Sequence, residues 1–455
     1  MNIRWGGRDF HRSRFGDCRV RRVELGLGNF IYSAEKAEKL SRPDLCYHTD
    51  KDYQTRLLGM DMNQFPDVAP DQRDLIQYFT CQASAMISCH PQMQHEACNV
   101  LMSLSSTSTA LLYSLLAFAA GHQASRTTDE VKKRHLRRQM IQLETKSVRD
   151  LQGEISLQLR SGVPLMASSL MLCLCSLCHE GDDYISWRAH LRGAKAAFSI
   201  ISATEFVGNE SQIEYLTKRY QLLEAIAMLT AKGFEALEPK DGQQPSSQAF
   251  LNDHVACYNE VLDMFRHIGA VAFDRRKLDV TPQNSILSPS DFELEGQNME
   301  SALLQMIHRD NDLPPRFLPR VQEMLNADQV GEFTICNQIY EYTALLHIRT
   351  QIRRLPLDTP EVMETIKTII HLSKQVEPRS GLSPSLGINT ALSAAGMYAL
   401  GDIRQEIREL LLLHYESTRN QSMMVALQNM ERHWLEMSSF QRIASDSINQ
   451  DFLAY

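Results

Sequence analysis

No stretch of this 455-residue chain stays apolar for long enough to cross a bilayer as a helix. The longest apolar runs, residues 111–120 and 163–178, fall short of the ~18–20 residues that a spanning helix needs, and both contain serine. A membrane partner is therefore excluded. The opening residues also lack the apolar segment of a secretory leader, so the ten cysteines, which follow no framework spacing, read as reduced intracellular thiols. Seven arginines and two acids crowd the first 22 residues, but without the amphipathic period of an organellar leader. Excess charge of one sign is missing too. Against 55 Asp+Glu stand 47 Lys+Arg, a net charge of −8, which excludes nucleic-acid binding by whole-surface charge and leaves room only for a small basic module.

Catalytic signatures are equally scarce. His95-Glu96 and His179-Glu180 each begin a zincin-like pair, but no second histidine follows three residues on, so neither helix chelates zinc that way. Gly26-x-Gly28 lacks its third glycine, and no Gly-x-Ser-x-Gly elbow or phosphate-binding loop ending in Lys-Ser/Thr occurs. Asp182-Asp183 has no further carboxylates one helical turn on, as a magnesium-binding prenyl-transfer site requires. Cys175-Ser176-Leu177-Cys178-His179 is formally the spacing of haem attachment. It ends an apolar segment, however, where cysteine packs as a small hydrophobe, and Cys173 and Cys175 point to nearly opposite sides of a helix. The expectation is of no cofactor and no enzyme.

What the chain does have is helix. Apolar residues make up 43% and charged residues 22%, a globular balance, with Leu, Met, Ala, Gln and Glu plentiful. Thr127-Thr128-Asp129-Glu130 has the pattern of a capping box, followed by Leu136, Met140, Leu143, Val148 and Leu151 on one face. Leu216, Tyr220, Leu223 and Ala227 mark another helix. A third is capped by Asp402 and buries Ile403, Ile407, Leu410 and His414; a fourth carries the seam Met423, Leu427, Met430, Trp434 and Met437. Sustained period-2 alternation is absent. The chain reads as all-α, roughly a dozen helices in layers. An irregular N-terminal segment spans 1–70, a helical domain 71–440 and a tail 441–455. Loops are expected at 233–248, 274–296, 311–319 and 377–384. The basic run Lys132-Lys133-Arg134-His135-Leu136-Arg137-Arg138 lacks aromatic interleaving and reads as a solvated helix face.

The order of segments from Asp74 to Ser202 is the most specific feature. Asp74-Leu-Ile-Gln-Tyr-Phe79 opens it, then Cys89-His90-Pro91, then the apolar stretch 109–122, and Trp187-Arg188-Ala189-His190-Leu191-Arg192-Gly193-Ala194 closes it. This order resembles the helical regulatory domain of fungal zinc-cluster transcription factors, and residues 384–399 with the following helix pair resemble its C-terminal portion. The resemblance implies a regulatory domain, located in the nucleus rather than the cytoplasm. It also singles out Trp187, His190, Arg192 and Gly193 as motif residues. Trp187, His190 and Ala194 fall at i, i+3 and i+7, and Gly193 permits close helix approach at a cost of ~1 kcal/mol against alanine.

Such regulators bind DNA through six cysteines around two zinc ions. Asp17-Cys18-Arg19-Val20-Arg21-Arg22-Val23-Glu24-Leu25 resembles the middle of that module, with Cys18 at the second ligand position but Phe15 and Leu25 where the first and third belong. Beyond it only Cys46 precedes Cys81, and two thiolates cannot hold two tetrahedral zinc ions. Zinc is expected only if further cysteines come from a segment outside this sequence. Arg19, Arg21 and Arg22 remain as DNA-contact candidates, positioning the chain on phosphates without reading sequence. DNA would be reached directly or through a partner, with a second copy or a coregulator docking on the helical domain. The rival from another class is a small-molecule-binding or catalytic helical protein with an apolar pocket near Trp187, His190 and Arg192.

Overall fold

The computed structural model describes residues 23–24, 30–31 and 68–439, apart from internal segments at 157–160, 180–185, 202–205, 207, 231–233, 235–249, 253, 255, 281–287 and 380. Two units separate, residues 1–61 and 62–455. In the first, β1 (Val23–Glu24) pairs antiparallel with β2 (Phe30–Ile31). In the second, all-α holds: fifteen α-helices occur among the described residues. They are α1 (Pro70–Cys81), α2 (Pro91–Ser105), α3 (Thr109–Arg126), α4 (Glu130–Ser156), α5 (Gly162–Cys175), α6 (Ser186–Ile200), α7 (Glu210–Met228), α8 (Asn259–Val280), α9 (Pro289–Asp312), α10 (Pro319–Gln322), α11 (Ala327–His347), α12 (Pro360–Ser373), α13 (Ile388–Tyr398), α14 (Ile403–Thr418) and α15 (Gln421–Ser439). A short antiparallel pair, β3 (Leu251–Asn252) and β4 (Cys257–Tyr258), lies against α11 and α8.

α3 and α5 organise the first half. A helix that is apolar on every side must be enclosed on every side. In α3, Leu111, Leu115, Leu116, Ala117, Phe118, Ala119 and Ala120 are all at most 1% exposed, and every residue of α5 is buried. α4 covers α3, α6 covers α5, and α3 and α5 lie against each other. Ser108 starts α3, accepting from Leu111 N at 3.3 Å, and Ser161 starts α5, accepting from Val163 N at 3.3 Å. Each satisfies one of the orphan amides at a helix start. Where α3 meets α4, Gly121 leaves room for Met140 Sδ and Cys178 Cβ, which a side-chain carbon there would meet at 2.6 and 2.8 Å.

α7 joins the halves, touching α2, α5 and α6 on one side and α8 on the other. As its spacing indicates, Leu216, Tyr220, Leu223 and Ala227 are all buried. The second half gathers α11, α12 and α13, closed by the α14–α15 pair. α11 runs on into a π-helical turn, Ile348–Ile352, around which α8 and α9 pack.

Several expectations are corrected in detail. α4 is capped by Asp129, whose Oδ1 accepts from Val131 N (2.8 Å) and Lys132 N (3.1 Å), whereas Thr127 ends α3. Its buried face takes Ser147 in place of Val148, which is half-buried; Ser147 donates to Ala110 O at 2.7 Å, and so can lie inside without a lone hydroxyl. Asp402 stands at the start of α14 but makes no capping bond, and Ile403 is half-buried while Ile407, Leu410 and His414 are inside. Met423, Leu427 and Met430 are buried, Trp434 is half-buried, and Met437 emerges at 43% exposed. The break expected at 274–296 is shorter, since α8 continues to Val280 and α9 starts at Pro289. There Ser288 and Asp291 form a reciprocal capping box, and Lys277 pairs with Asp274 one turn back (3.5 Å), so charged residues serve helix rather than loop. Non-helical backbone follows at 313–318, 377–379 and 381–383, while most of 233–248 lies outside the described residues.

α8 crosses the end of α7 at Gly269, where a side-chain carbon would meet Met228 Cβ at 2.6 Å and the Met228 carbonyl oxygen at 2.7 Å. Backbone cannot swing aside as a side chain can. Gly269→Ala is expected to lower stability by about 1–3 kcal/mol through overpacking. Gly153→Ala, where nothing lies within 4 Å, should raise it by about 0.5–1 kcal/mol through helix propensity. Urea denaturation of both variants, with unchanged slope, is the check.

Candidate functional site

α6 carries the Trp-x-x-His-Leu-Arg-Gly-Ala element, and its inner face is set by the apolar residues. Trp187, Leu191, Ala194 and Ala197 are buried and seat α6 on α5. The Trp187 ring stacks on Phe234 (centroids 6.5 Å apart, 27° between planes), and Arg188 Cζ sits 4.5 Å from its centroid. Arg188 is itself buried and donates from Nη2 to Thr230 Oγ1 at 2.8 Å. A guanidinium over an indole away from water makes a cation–π pair of about 2 kcal/mol. Gly193 faces Ser169 of α5, whose Oγ would lie 3.2 Å from an added side-chain carbon. The small residue lets the two helices close.

The expected motif residues are thus divided between packing and surface. Trp187 and Gly193 belong to the α5–α6 seam. His190 is half-buried at its edge, where burial holds its pKa below the ordinary value and Glu144 pulls it up. Arg192 is exposed. The residue that does join the indole is Arg188, one position on, which the i, i+3, i+7 pattern passes over. Arg19, Arg21 and Arg22 lie outside the described residues.

Beside His190 lies a second group that no motif announced. His179 Nε2 approaches Glu144 Oε2 of α4 at 2.6 Å, and the thiols of Cys175 and Cys178 are close enough to feel the same carboxylate. Burial pushes the Cys173 and Cys178 thiols up to about 12 and Cys175 well above its usual range. Cys175 Sγ donates to Ser114 O at 3.3 Å. Metal ligation and addition to a haem vinyl group both need a thiolate or a reachable thiol, and these are protonated and enclosed. They pack as small apolar groups. Among the described residues no group of three His, Cys, Asp or Glu is arranged to hold a metal ion. The basic run of α4 turns most of its charge to water, and Leu136 alone in it is buried.

In the second half, burial and the neighbouring Asp310 carboxylate push the pKa of Glu341 up to about 9, so its side chain is a neutral carboxylic acid at neutral pH. Asn337 Nδ2 donates to its Oε1 at 3.0 Å, and Arg309 bridges Asp310 (2.7 Å) and Glu260 (2.8 Å). Nearby, Arg349 and Arg353 each reach Glu300 at 2.6 Å from the π-helical turn, and Arg353 also holds Glu293 at 2.9 Å. These clamps fix α9 to the turn.

Compared with known families, residues 74–443 match the fungal specific transcription factor domain. The chain belongs to that family. Comparison with curated proteins and with solved structures gives no match. Family membership makes the chain a transcription regulator by class, and the helical unit just described is the family's domain. No helix among the described residues is long and apolar enough to cross a membrane.

The Glu341 acid gives a pH signature. Its pKa is raised in the folded chain from an ordinary 4.5, so between about pH 4.5 and 9 the folded state keeps a proton that the unfolded state has released. The stability it contributes is fully present below that range and lost as pH rises through it, with a slope of at most about 1.4 kcal/mol per pH unit. Glu341→Gln, which stays neutral, is expected to flatten the fall in urea midpoint from pH 5 to 9. Superimposable profiles for parent and variant would refute it.

Proposed function

We propose that this protein is a nuclear, non-enzymatic transcription regulator whose helical domain relays an input to a partner, and whose sequence holds no intact zinc cluster of its own. The match of residues 74–443 to the fungal domain carries this reading. The two thiolates Cys18 and Cys46 ahead of Cys81 are too few for the family's two-zinc module. DNA contact then comes from a partner, from a segment outside this sequence, or from phosphate contacts by Arg19, Arg21 and Arg22. The last would bind with a steep salt dependence and little sequence preference.

Within the domain, His190 and Arg192 have the better claim to a regulatory role, because they stand at the rim of the α5–α6 seam where a partner can reach them. Trp187 and Gly193 act by holding α6 in place. The alternative is a small-molecule-binding or catalytic helical protein with an apolar pocket near Trp187, His190 and Arg192.

The test is transcriptional. Fused whole to a heterologous DNA-binding domain, the chain is expected to change expression of a matching reporter, and alone it should enter the nucleus. Arg192→Ala should cut the reporter response severalfold with Tm within about 1 °C of the parent, since exposed substitutions rarely move stability by more than ~0.5 kcal/mol. A nuclear, folded fusion that leaves the reporter unchanged would overturn the reading, as would stoichiometric zinc in the purified chain.

A further inference from the structure

Shielded arginines in this fold generally meet an acceptor. Arg266 reaches Glu224 at 3.0 Å, Arg309 reaches Asp310 at 2.7 Å, and Arg349 reaches Glu300 at 2.6 Å. Two neighbours on α8 differ: Arg275, which lies over the Phe292 ring and reaches only Pro289 O at 3.4 Å, and Arg276. Half-buried, it has no carboxylate within ion-pair distance among the described residues, and its buried Nη2 has no hydrogen-bond partner at all. Its one contact is a long bond from Nη1 to Gln351 Oε1, 3.4 Å. The nearest charged groups, Asp279 and Arg354, are bound to each other and so offer Arg276 no net charge.

Around this cation the π-helical turn has assembled polar groups with capacity to spare. Gln351 Nε2 donates to His347 Nδ1 at 2.7 Å and to Tyr398 Oη at 3.2 Å. Tyr398 is thus an acceptor in that bond, and its own proton is free for another acceptor. His347 is buried and neutral, held there by burial and by Arg276 itself, and stands edge-on to Tyr398 with ring centroids 6.4 Å apart. Arg276, Gln351 and Tyr398 are each half-exposed, so the group opens to solvent above the histidine. A turn of π-helix inside an α-helix is itself uncommon and tends to mark a functional position.

We propose that Arg276, Tyr398 and Gln351 form a binding site for the carboxylate of a small organic acid. One uncompensated guanidinium charge with neutral donors beside it matches a monoanion. A phosphate dianion would bring a second charge, while Arg349, Arg353 and Arg354 are already paired and Arg275 lies over the Phe292 ring at 5.3 Å. The carboxylate takes an N–H from Arg276 and the O–H of Tyr398, two charge-assisted bonds in a setting poorer in water than the surface. Since α8, α9, α11 and α13 all contribute to or flank the turn, an occupant would draw together helices that otherwise meet only through side chains. As an effector site this rests on the regulator reading above; as a ligand site it does not, and the test needs neither DNA nor a reporter.

The purified full-length chain is titrated with sodium acetate and sodium benzoate, and with sodium phosphate and sodium chloride at matched ionic strength. Calorimetry and thermal unfolding are the readouts. Saturable carboxylate binding is expected, raising Tm by roughly 2–4 °C at a hundredfold excess over Kd. Arg276→Met should abolish the response while leaving the unliganded Tm equal or higher, since it removes an uncompensated charge. Tyr398→Phe should weaken binding about tenfold, and Lys277→Gln, an equal charge change on the neighbouring surface, should leave it intact. The site is overturned if carboxylates give no saturable response, if phosphate binds and carboxylates do not, or if Tyr398→Phe binds as the parent does. The last criterion stands even where Arg276→Met does not fold.

Discussion

Two helices that have no polar side determine the rest of this domain. α5 faces water nowhere along its length, and α3 only at Thr109, Tyr113 and its last turn, so the chain must supply neighbours for nearly the whole circumference of each. Burying a Leu, Met or Phe side chain is worth roughly 1.5–3 kcal/mol, and together the two helices carry more than a dozen such side chains or their smaller equivalents. α4 and α6 have one apolar stripe each because their task is to cover, whereas α7, set between the halves, is buried on every side from Leu222 to Met228. The alanines and glycines of α3 and α5 set how near the covering helices come, which is why Gly121 and Gly162 mark the tightest points of the first half. A larger side chain at either would push a whole helix outward.

Enclosing helices so completely also encloses polar groups, and most of them find a local remedy. Serines in the apolar helices return their hydroxyls to backbone carbonyls, as Ser114 does to Leu111 O and Ser168 to Pro164 O. Histidines are held neutral: burial lowers His122, His347 and His414 to about 4, and His122 Nδ1 shares a hydrogen bond with the Tyr78 hydroxyl at 3.1 Å. Thiols remain protonated. Where charge does enter, as at Arg309 or Glu300, it arrives with its counterion, because a lone buried charge costs several kcal/mol. Other shielded arginines turn to neutral acceptors, Arg188 to Thr230 Oγ1 and Arg219 to Ile87 O, whereas Arg276 Nη2 is buried without an acceptor among the described residues.

How much of this could be read from residues alone follows from the kind of signal each feature leaves. Long helices with a clear stripe, such as α7 and α15, declared their inner faces, since 3.6-residue spacing depends only on the helix and its side chains. The family resemblance was equally open to inspection in the element 187–194. Caps were less legible. Thr127 to Glu130 offered a plausible box and Asp129 took the role, whereas the true reciprocal boxes at Ser288–Asp291 and Asn326–Gln329 use Asp and Gln at the third position. Ser147 was passed over because a serine looks polar until its acceptor, Ala110 O, is known. The Glu144–His179 pair, 35 positions apart, and the Arg276–Gln351–Tyr398 group, drawn from three helices, left no local trace. Partners so far apart in sequence are brought together only by the packing of α3 and α5 and by the π turn.

A domain that relays a signal needs elements able to occupy more than one arrangement, and interiors packed to this density do not deform gradually. The second half supplies what the first does not. α3, α5 and α6 meet through alanine, glycine and leucine at close range, a contact that loses most of its attraction once parted. α8 and α9 meet the end of α11 largely through long side chains, Arg349, Arg353 and Arg354 reaching Glu300, Glu293 and Asp279. Long side chains can keep their partners through a shift of an ångström or two that small apolar contacts would not survive. A charge in need of a counterion, placed where α8, the π turn and α13 converge, is the kind of feature through which an occupant biases such a shift, because it interacts with one arrangement more strongly than the other.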